Sequence, residues 1–151
     1  MAMTLLEALD GRPIDLKILA TDLSTRALAR ACAGSYGADR TAFVPRDLRA
    51  KYLESDVRYP SMLRVGPGLR RIISFARLNL ARPPFPMSGP FDAVFCRNVM
   101  IYFDMEVRRR LLAQIHILLR PGGYLFVGHS ESLSGLTAGL KTIQPSVYVK
   151  T

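Results

Sequence analysis

Three polar residues that could contact a ligand follow a short apolar run. Residues 93–96 are too few for a helix and have the composition of a strand buried on both faces of a parallel sheet. Arg97 and Asn98 come next, and Tyr102 lies shortly beyond. In open α/β sheets, ligands bind just past the carboxyl ends of the strands. We therefore expect these groups to orient a polar ligand. The alternative is that Arg97 only marks where the strand reaches solvent.

Two further residues could recognise a nucleoside. Asp22 ends another strand-like run, and a carboxylate in that position can accept two hydrogen bonds from a ribose diol. Its alternative role is to support the start of the next helix, although Ser24 is the better-placed cap. Asn79 precedes a proline-rich loop, and its amide offers a donor and an acceptor to a base edge. The alternative is an ordinary turn asparagine.

Other kinds of chemistry find little support. The segment His129–Ser130–Glu131 lacks the Gly-x-Ser-x-Gly motif and a second histidine in register, which argues against a hydrolase. No Cys and His spacing indicates zinc. The residues instead favour a binding and positioning site.

The elements that would position these groups alternate between strand and helix. A strand over 16–21 precedes a helix that ends at Gly34, and a helix beginning at Asp104 precedes a strand over 124–127. Residues 140–143 and 146–150 predict a closing antiparallel hairpin. This order predicts an α/β fold with helices flanking a mainly parallel sheet.

Composition sets the broader class. A chain of 151 residues with 49% hydrophobic residues suits one folded domain, and no apolar run reaches the roughly 20 residues that a membrane helix needs. We expect no membrane insertion. Cys32 and Cys96 are expected to be core residues without a disulfide, which agrees with a reducing cytoplasm. The net charge of +9 predicts attraction to acidic partners.

Residues 34–76 interrupt the α/β order and predict a small inserted β-subdomain. A short helix is expected over 44–53, and residues 62–65 and 71–75 are predicted to form a hairpin around Gly66–Pro67–Gly68. Between Gly34 and Arg82 the sequence has ten Lys or Arg against four acids, so six of the nine net charges lie here. Most are expected on a solvated face, and the surface is the best candidate to meet an acidic partner.

Four segments together resemble the chemotaxis-receptor glutamate methyltransferases, the CheR family. They are Ile18-Leu19-Ala20-Thr21-Asp22-Leu23-Ser24, the segment from Arg71 that ends in Leu78-Asn79-Leu80, residues 91–103, and residues 122–131. Their order and spacing match, and the resemblance runs nearly end to end. It implies a Rossmann-like, class I S-adenosylmethionine-dependent methyltransferase, in which the insert docks on chemoreceptors. We take its basic residues Arg64, Arg70 and Arg71 as that docking surface.

The resemblance also implies roles for individual residues. It assigns the ribose to Asp22, the adenine to Asn79 and Leu80, and the lining of the cofactor pocket to Cys96, Arg97 and Asn98. It places Tyr102 near the site of methyl transfer. A glutamate side chain is already ionised at neutral pH, so its esterification needs no strong base. A neutral donor such as Tyr102 suits the alignment of that carboxylate with an electrophilic methyl group.

The family pattern includes parts that this sequence does not show. It has an N-terminal helical domain, then a strand and a Ser/Thr-Gly-Glu-Glu-Pro loop that cradles the cofactor, and residues 1–10 here resemble the helix after that loop. We therefore expect the 151-residue chain alone to be loosely packed and to bind little cofactor, because the absent strand is the central one of the sheet.

Two other classes of function remain open at this stage. One is a non-catalytic module that has kept the basic insert and docks on an acidic protein. The other is a nucleic-acid-binding domain, which only the charge suggests. A steep loss of affinity with salt would mark the latter. We expect no nucleic-acid partner, because the sequence offers no base-stacking platform.

Overall fold

The structure is a computed structural model that describes residues 1–131, 133, 135–136 and 139–151. Its contacts divide the chain into two compact units, Met1–Leu78 and Asn79–Thr151. None of the helices in these described ranges combines the length and the apolar character that crossing a membrane requires.

The first unit contains a parallel pair of strands and a small antiparallel sheet. In chain order its elements are α1 (Ala2–Leu9), β1 (Ile18–Asp22), α2 (Thr25–Ala33), β2 (Ser35–Gly37), α3 (Ala38–Thr41), α4 (Arg46–Tyr52), β3 (Leu53–Ser55), β4 (Met62–Val65), α5 (Pro67–Ile72) and β5 (Ile73–Arg77). Strands β1 and β5 pair in parallel, with Ile18 opposite Ile73 and Asp22 opposite Arg77. Strands β2, β4 and β3 form the antiparallel sheet, with β4 in the middle.

Both ends of α2 are capped by side chains. The Ser24 hydroxyl oxygen accepts a hydrogen bond from the Ala27 N–H at 3.2 Å, as its position before the helix predicts. At the other end, Gly34 adopts a left-handed conformation with φ 60°. The Arg70 guanidinium donates to the carbonyl oxygens of Cys32 (3.1 Å) and Ala33. Because these carbonyls lie in the last turn, Arg70 serves the fold as a helix cap.

The predicted hairpin between residues 62–65 and 71–75 is wrong. The chain between them is helix α5, which begins at Pro67 and buries Leu69 to 3% exposure. Strand β5 pairs with β1, and β4 pairs with β2 and β3. Proline is favoured at the first position of a helix as well as in turns, so Gly66–Pro67–Gly68 is compatible with both structures.

The second unit is a four-stranded sheet with one long helix. Its elements are β6 (Phe91–Cys96), a 3₁₀ turn (Met100–Tyr102), α6 (Met105–Leu118), β7 (Leu119–Val127), β8 (Leu140–Gln144) and β9 (Val147–Lys150). The strand order is β6-β7-β9-β8, in which β6 and β7 are parallel and the other pairs antiparallel. The predicted closing hairpin is confirmed as β8 and β9.

Helix α6 is fixed at both ends and along its apolar side. The Asp104 carboxylate accepts the Val107 N–H at 2.8 Å and caps its start, as expected. Side chains spaced along one face are buried: Leu111, Leu112, Ile115 and Leu118. At its end, Lys150 Nζ of β9 donates to the carbonyl oxygens of His116 and Leu119, both at 2.7 Å. The C-terminal strand therefore holds the connection between α6 and β7.

Two expectations about burial are wrong. Strand β6 is not buried on both faces, since Ala93 is exposed and Phe95 is 49% exposed. Within the part of the chain that the structure describes, β6 pairs only with β7. Cys32 is exposed, whereas Cys96 is buried at 5% exposure, and both thiols are free. An apolar stripe on a short helix does not by itself determine how completely the stripe is covered.

Candidate functional site

The segment after β6 turns sharply and places one side chain in solvent. Asn98 has φ 59°, a left-handed conformation that asparagine tolerates better than most residues. Met100 is 1% exposed and anchors the 3₁₀ turn that follows. Within that turn, the Tyr102 N–H donates to the Val99 carbonyl oxygen at 3.2 Å. The Tyr102 side chain is 80% exposed, so its hydroxyl is accessible from solvent.

A buried carboxylate holds this segment to the end of β7. Glu131 is 4% exposed, and its two oxygens accept four backbone N–H groups. Oε2 accepts those of Asn98 (2.8 Å) and Gly128 (2.6 Å), whereas Oε1 accepts those of Val99 (2.8 Å) and Met100 (2.7 Å). We call these four N–H groups and the Glu131 carboxylate the Glu131 clamp. It connects the carboxyl ends of two parallel strands.

Burial and the hydrogen bonds of the clamp shift the pKa values of two groups, Glu131 and Cys96. Burial disfavours a charged Glu131, but the hydrogen bonds from Gly128, Asn98, Met100 and Val99 outweigh burial and lower the pKa of its carboxyl group. Burial, with the nearby charge of Glu131, raises the pKa of the Cys96 thiol to about 11. Glu131 is therefore ionised at neutral pH, and Cys96 is a neutral thiol.

Close approach explains the glycine at position 128. A Cβ atom there would lie 2.5 Å from Asn98 Oδ1, 2.7 Å from Glu131 Oε2 and 3.1 Å from the Asn98 nitrogen. Contacts of a Cβ atom below 3.0 Å are essentially never seen in proteins, so the first two of these distances are too short. Any larger residue would therefore displace part of the Glu131 clamp.

Asp22 lies at the end of β1, in the first unit. Its Oδ1 accepts the Ser24 N–H at 2.8 Å, so the carboxylate shapes the turn into α2. Among the described residues, Oδ2 has no hydrogen-bond partner. One carboxylate oxygen of Asp22 thus supports the start of α2, which is the alternative role stated above. The other oxygen is available to a ligand.

Asn79 and Leu80 open the second unit. Asn79 Oδ1 accepts the Ala81 N–H at 3.0 Å, which is the turn geometry expected of an ordinary turn asparagine. In the described ranges its amide nitrogen has no protein acceptor, so two donor positions remain for a base edge. Leu80 is half-buried and offers an apolar surface beside them.

The candidate residues of the second unit differ in how firmly the fold holds them. Asn98 is fixed by the Glu131 clamp, and Cys96 lies opposite Val127 in the β6–β7 register. Arg97 is exposed and makes no side-chain hydrogen bond within the part of the chain that is described. Sequence reasoning gave Glu131 no role. The one signal for it was an acidic residue shortly after a buried strand.

The three arginines expected to dock on a partner also differ. Arg70 is occupied with the last turn of α2. Arg64 Nε lies 3.9 Å from an Asp56 carboxylate oxygen, a long ion pair, and Arg71 is exposed. Arg71 is therefore the most available of the three.

The polar residues at the strand ends and the fixed loop after β6 lie where α/β domains bind their ligands. The family model described as "CheR methyltransferase, SAM binding domain" matches residues 1–149, and the chain belongs to this family. The match establishes the Rossmann-like methyltransferase fold class and the S-adenosylmethionine cofactor of the family.

Curated relatives agree with this assignment. The chain is 38% identical over 149 residues to the chemotaxis protein methyltransferase of Escherichia coli K12, covering 98% of this chain and 52% of that protein. It is 38% identical over 152 residues to the protein of that name from Borreliella burgdorferi, covering 99% and 53%. Chemotaxis protein methyltransferase 1 of Pseudomonas aeruginosa is 42% identical over 133 residues, covering 87% and 47%. The chain spans about half the length of these relatives.

Among solved structures, the glycopeptide N-methyltransferase MtfA complexed with S-adenosylmethionine overlays with a TM-score of 0.46 at 18% identity. The overlay covers 99% of this chain and 58% of MtfA. A likeness of this size adds nothing to the family match.

Proposed function

We propose that this protein methylates glutamate side chains of chemoreceptor proteins, with S-adenosylmethionine as the methyl donor. The observation that carries the proposal is the family match over residues 1–149, together with curated relatives that are named chemotaxis protein methyltransferases. We place the reaction in the cytoplasm, which the two free thiols support.

Each candidate cofactor residue, taken by itself, offers a group of the kind that an adenosine needs. The free carboxylate oxygen of Asp22 suits the ribose diol, and the amide nitrogen of Asn79 beside Leu80 suits the adenine. Cys96, Arg97 and Asn98 would line the rest of the pocket. The neutral Cys96 thiol is helpful here, because a thiolate would compete with the substrate for the methyl group.

When bound, S-adenosylmethionine supplies an electrophilic sulfonium methyl group. The substrate glutamate is ionised at neutral pH, so a carboxylate oxygen would accept the methyl group without a general base. The bond between the methyl carbon and the sulfonium sulfur would break as the ester bond forms, and S-adenosylhomocysteine would be the second product. The role left to the protein is to orient that carboxylate and to exclude water from it. The exposed Tyr102 hydroxyl is the group to which we assign the first part of this role, the orientation of the carboxylate.

The basic insert is our candidate for the receptor-docking surface, and Arg71 is its best test. Arg71→Glu should slow association with an acidic receptor fragment, and added salt should shrink the difference. Arg70→Glu is not a clean test, because it would also disturb the end of α2. Association rates of Arg71→Glu equal to wild type at low salt would exclude this part of the surface.

The direct assay of the function measures methyl esters on a receptor. Because the relatives are about twice as long, the assay uses an extended form, in which the unmatched part of the E. coli relative precedes Met1, the order that the resemblance implies. A folded extended form should transfer labelled methyl groups from S-adenosylmethionine to a chemoreceptor cytoplasmic fragment. Alkali should release the label as methanol, since the product is an ester.

A receptor fragment with its glutamates replaced by glutamines is the control, and it should accept no label. The intact E. coli relative serves as the positive control for the reagents. An extended form that folds and binds the receptor but transfers no label would overturn the proposal and favour a non-catalytic docking module.

A further inference from the structure

Glu131 is the most deeply buried acidic group in the part of the chain that the structure describes, and the proposed chemistry gives it no role. It contacts no position assigned to the substrate. It instead accepts the N–H groups of three successive residues after β6 and of one residue after β7. The two segments that it joins are both strand ends, where α/β folds bind their ligands.

The geometry of the clamp requires a carboxylate. Each oxygen accepts two N–H donors at 2.6–2.8 Å, so all four donors need two acceptor oxygens. A glutamine would present one oxygen and one NH₂ group. In either orientation of the amide, two of the four donors would face another donor and lose their bonds. An aspartate keeps both oxygens but is shorter by one methylene group, so it can restore the clamp only in part.

The clamp fixes the backbone that carries two proposed functional residues. Asn98 is held through its own N–H in a left-handed conformation, which few residues adopt without support. Val99 is held by the clamp and accepts the Tyr102 N–H, so the placement of the 3₁₀ turn depends on it. Tyr102 itself is 80% exposed and has little packing of its own to hold it.

We propose that Glu131 is a positioning residue for methyl transfer, which sets the course of residues 98–102 and so places Asn98 for the cofactor and Tyr102 for the substrate. The first half of this proposal, the control of the backbone of residues 98–102 by the carboxylate, concerns the fold of the chain alone. The second half, the placing of Asn98 for the cofactor and of Tyr102 for the substrate, rests on the proposed function.

The first half is tested by amide hydrogen exchange on the extended form, measured by NMR, because the 151-residue chain alone is expected to be loosely packed. Glu131→Gln should speed exchange by about 10- to 100-fold, the factor that corresponds to a lost buried hydrogen bond, at the pair of amides that faces the new NH₂ group, either Asn98 and Gly128 or Val99 and Met100. Glu131→Asp should give a smaller increase. The control is Glu106→Gln, which removes the same charge from an exposed site and should leave these four amides unchanged. Equal exchange in wild type and Glu131→Gln would overturn the proposal.

The second half is tested by kinetics in the extended form, at a temperature where all variants are folded. A purely structural residue would lower the melting temperature and leave the kinetic constants of the folded enzyme unchanged. A positioning residue should lower kcat and weaken cofactor affinity, each by about tenfold or more in Glu131→Gln. Partial recovery is expected in Glu131→Asp.

The outcomes separate the two proposals. No methyl transfer by the wild-type extended form would count against the proposed function. Transfer by wild type and equally by folded Glu131→Gln would count against the role of Glu131 alone. If Glu131→Gln does not fold, Glu131→Asp decides: wild-type kcat and wild-type cofactor affinity together with faster amide exchange would overturn the positioning role.

Discussion

The substitution Gly128→Ala adds one methyl group at the most crowded point of the Glu131 clamp. Its Cβ would lie 2.7 Å from Glu131 Oε2 and 3.1 Å from the Asn98 nitrogen, two atoms that are hydrogen-bonded to each other at 2.8 Å. The side-chain oxygen of Asn98, at 2.5 Å, can rotate away. The other two atoms cannot move without lengthening bonds of the clamp.

The expected cost follows from these contacts. The complete loss of one hydrogen bond to a buried charge costs about 1.5–3 kcal/mol. The added methyl group weakens two such bonds. Overpacking typically adds about 1–3 kcal/mol. Since the clamp can relax in part, we expect Gly128→Ala to lower the free energy of unfolding by about 2–5 kcal/mol.

The assay is urea unfolding of the extended form followed by circular dichroism, with Gly68→Ala in the same extended form as the matched control. Position 68 lies within α5 and has no atom within 4 Å of an added Cβ. The control should be neutral or more stable by up to about 1 kcal/mol, because alanine is the better helix former. A loss below about 0.5 kcal/mol in Gly128→Ala would refute the crowding argument and the rigidity of the clamp.

Three further predictions concern the binding groups and the thiols. In the extended form, Asp22→Ala should weaken S-adenosylmethionine binding by about 1–3 kcal/mol, because polar ligand groups are left unpaired; unchanged affinity in calorimetry would remove the ribose assignment. Tyr102→Phe should leave stability and cofactor affinity nearly unchanged, since the ring is 80% exposed, and should lower the rate of methyl transfer. Equal losses of affinity and rate would mean that Tyr102 shapes the pocket. In the native chain a thiol reagent at pH 8 should modify Cys32 and spare Cys96, whose pKa is raised to about 11; modification of both at similar rates would contradict the burial of the Cys96 thiol.

Local signals in the sequence predicted the elements that local chemistry determines. The caps Ser24 and Asp104 and the left-handed stop at Gly34 lie where the residue types place them, because each acts within one helical turn. The β8–β9 hairpin follows from alternation around a turn. The helix α5 was missed because Pro67 suits a turn and a helix start equally well.

Long-range contacts explain what the sequence could not show. The Glu131 clamp joins residues 31–33 positions apart, and no periodic pattern encodes such a contact. Arg70 was expected to face a partner from charge alone, yet its guanidinium binds the last turn of a helix 37–38 positions away. Asp22 and Asn79 were located correctly at their turns, but their proposed ligands rest on the resemblance to the family.

Cofactor binding at the strand ends is tested most directly by adding S-adenosylmethionine to the isotope-labelled extended form and mapping the shifts of its backbone amides. Saturable shifts are expected at the ends of β1 and β6, at Asp22 and Asn98, and at Asn79 and Leu80. No shifts are expected in the β2-β4-β3 sheet, which serves as the internal control. An unchanged spectrum of a folded extended form, or shifts confined to that antiparallel sheet, would contradict the proposed cofactor site.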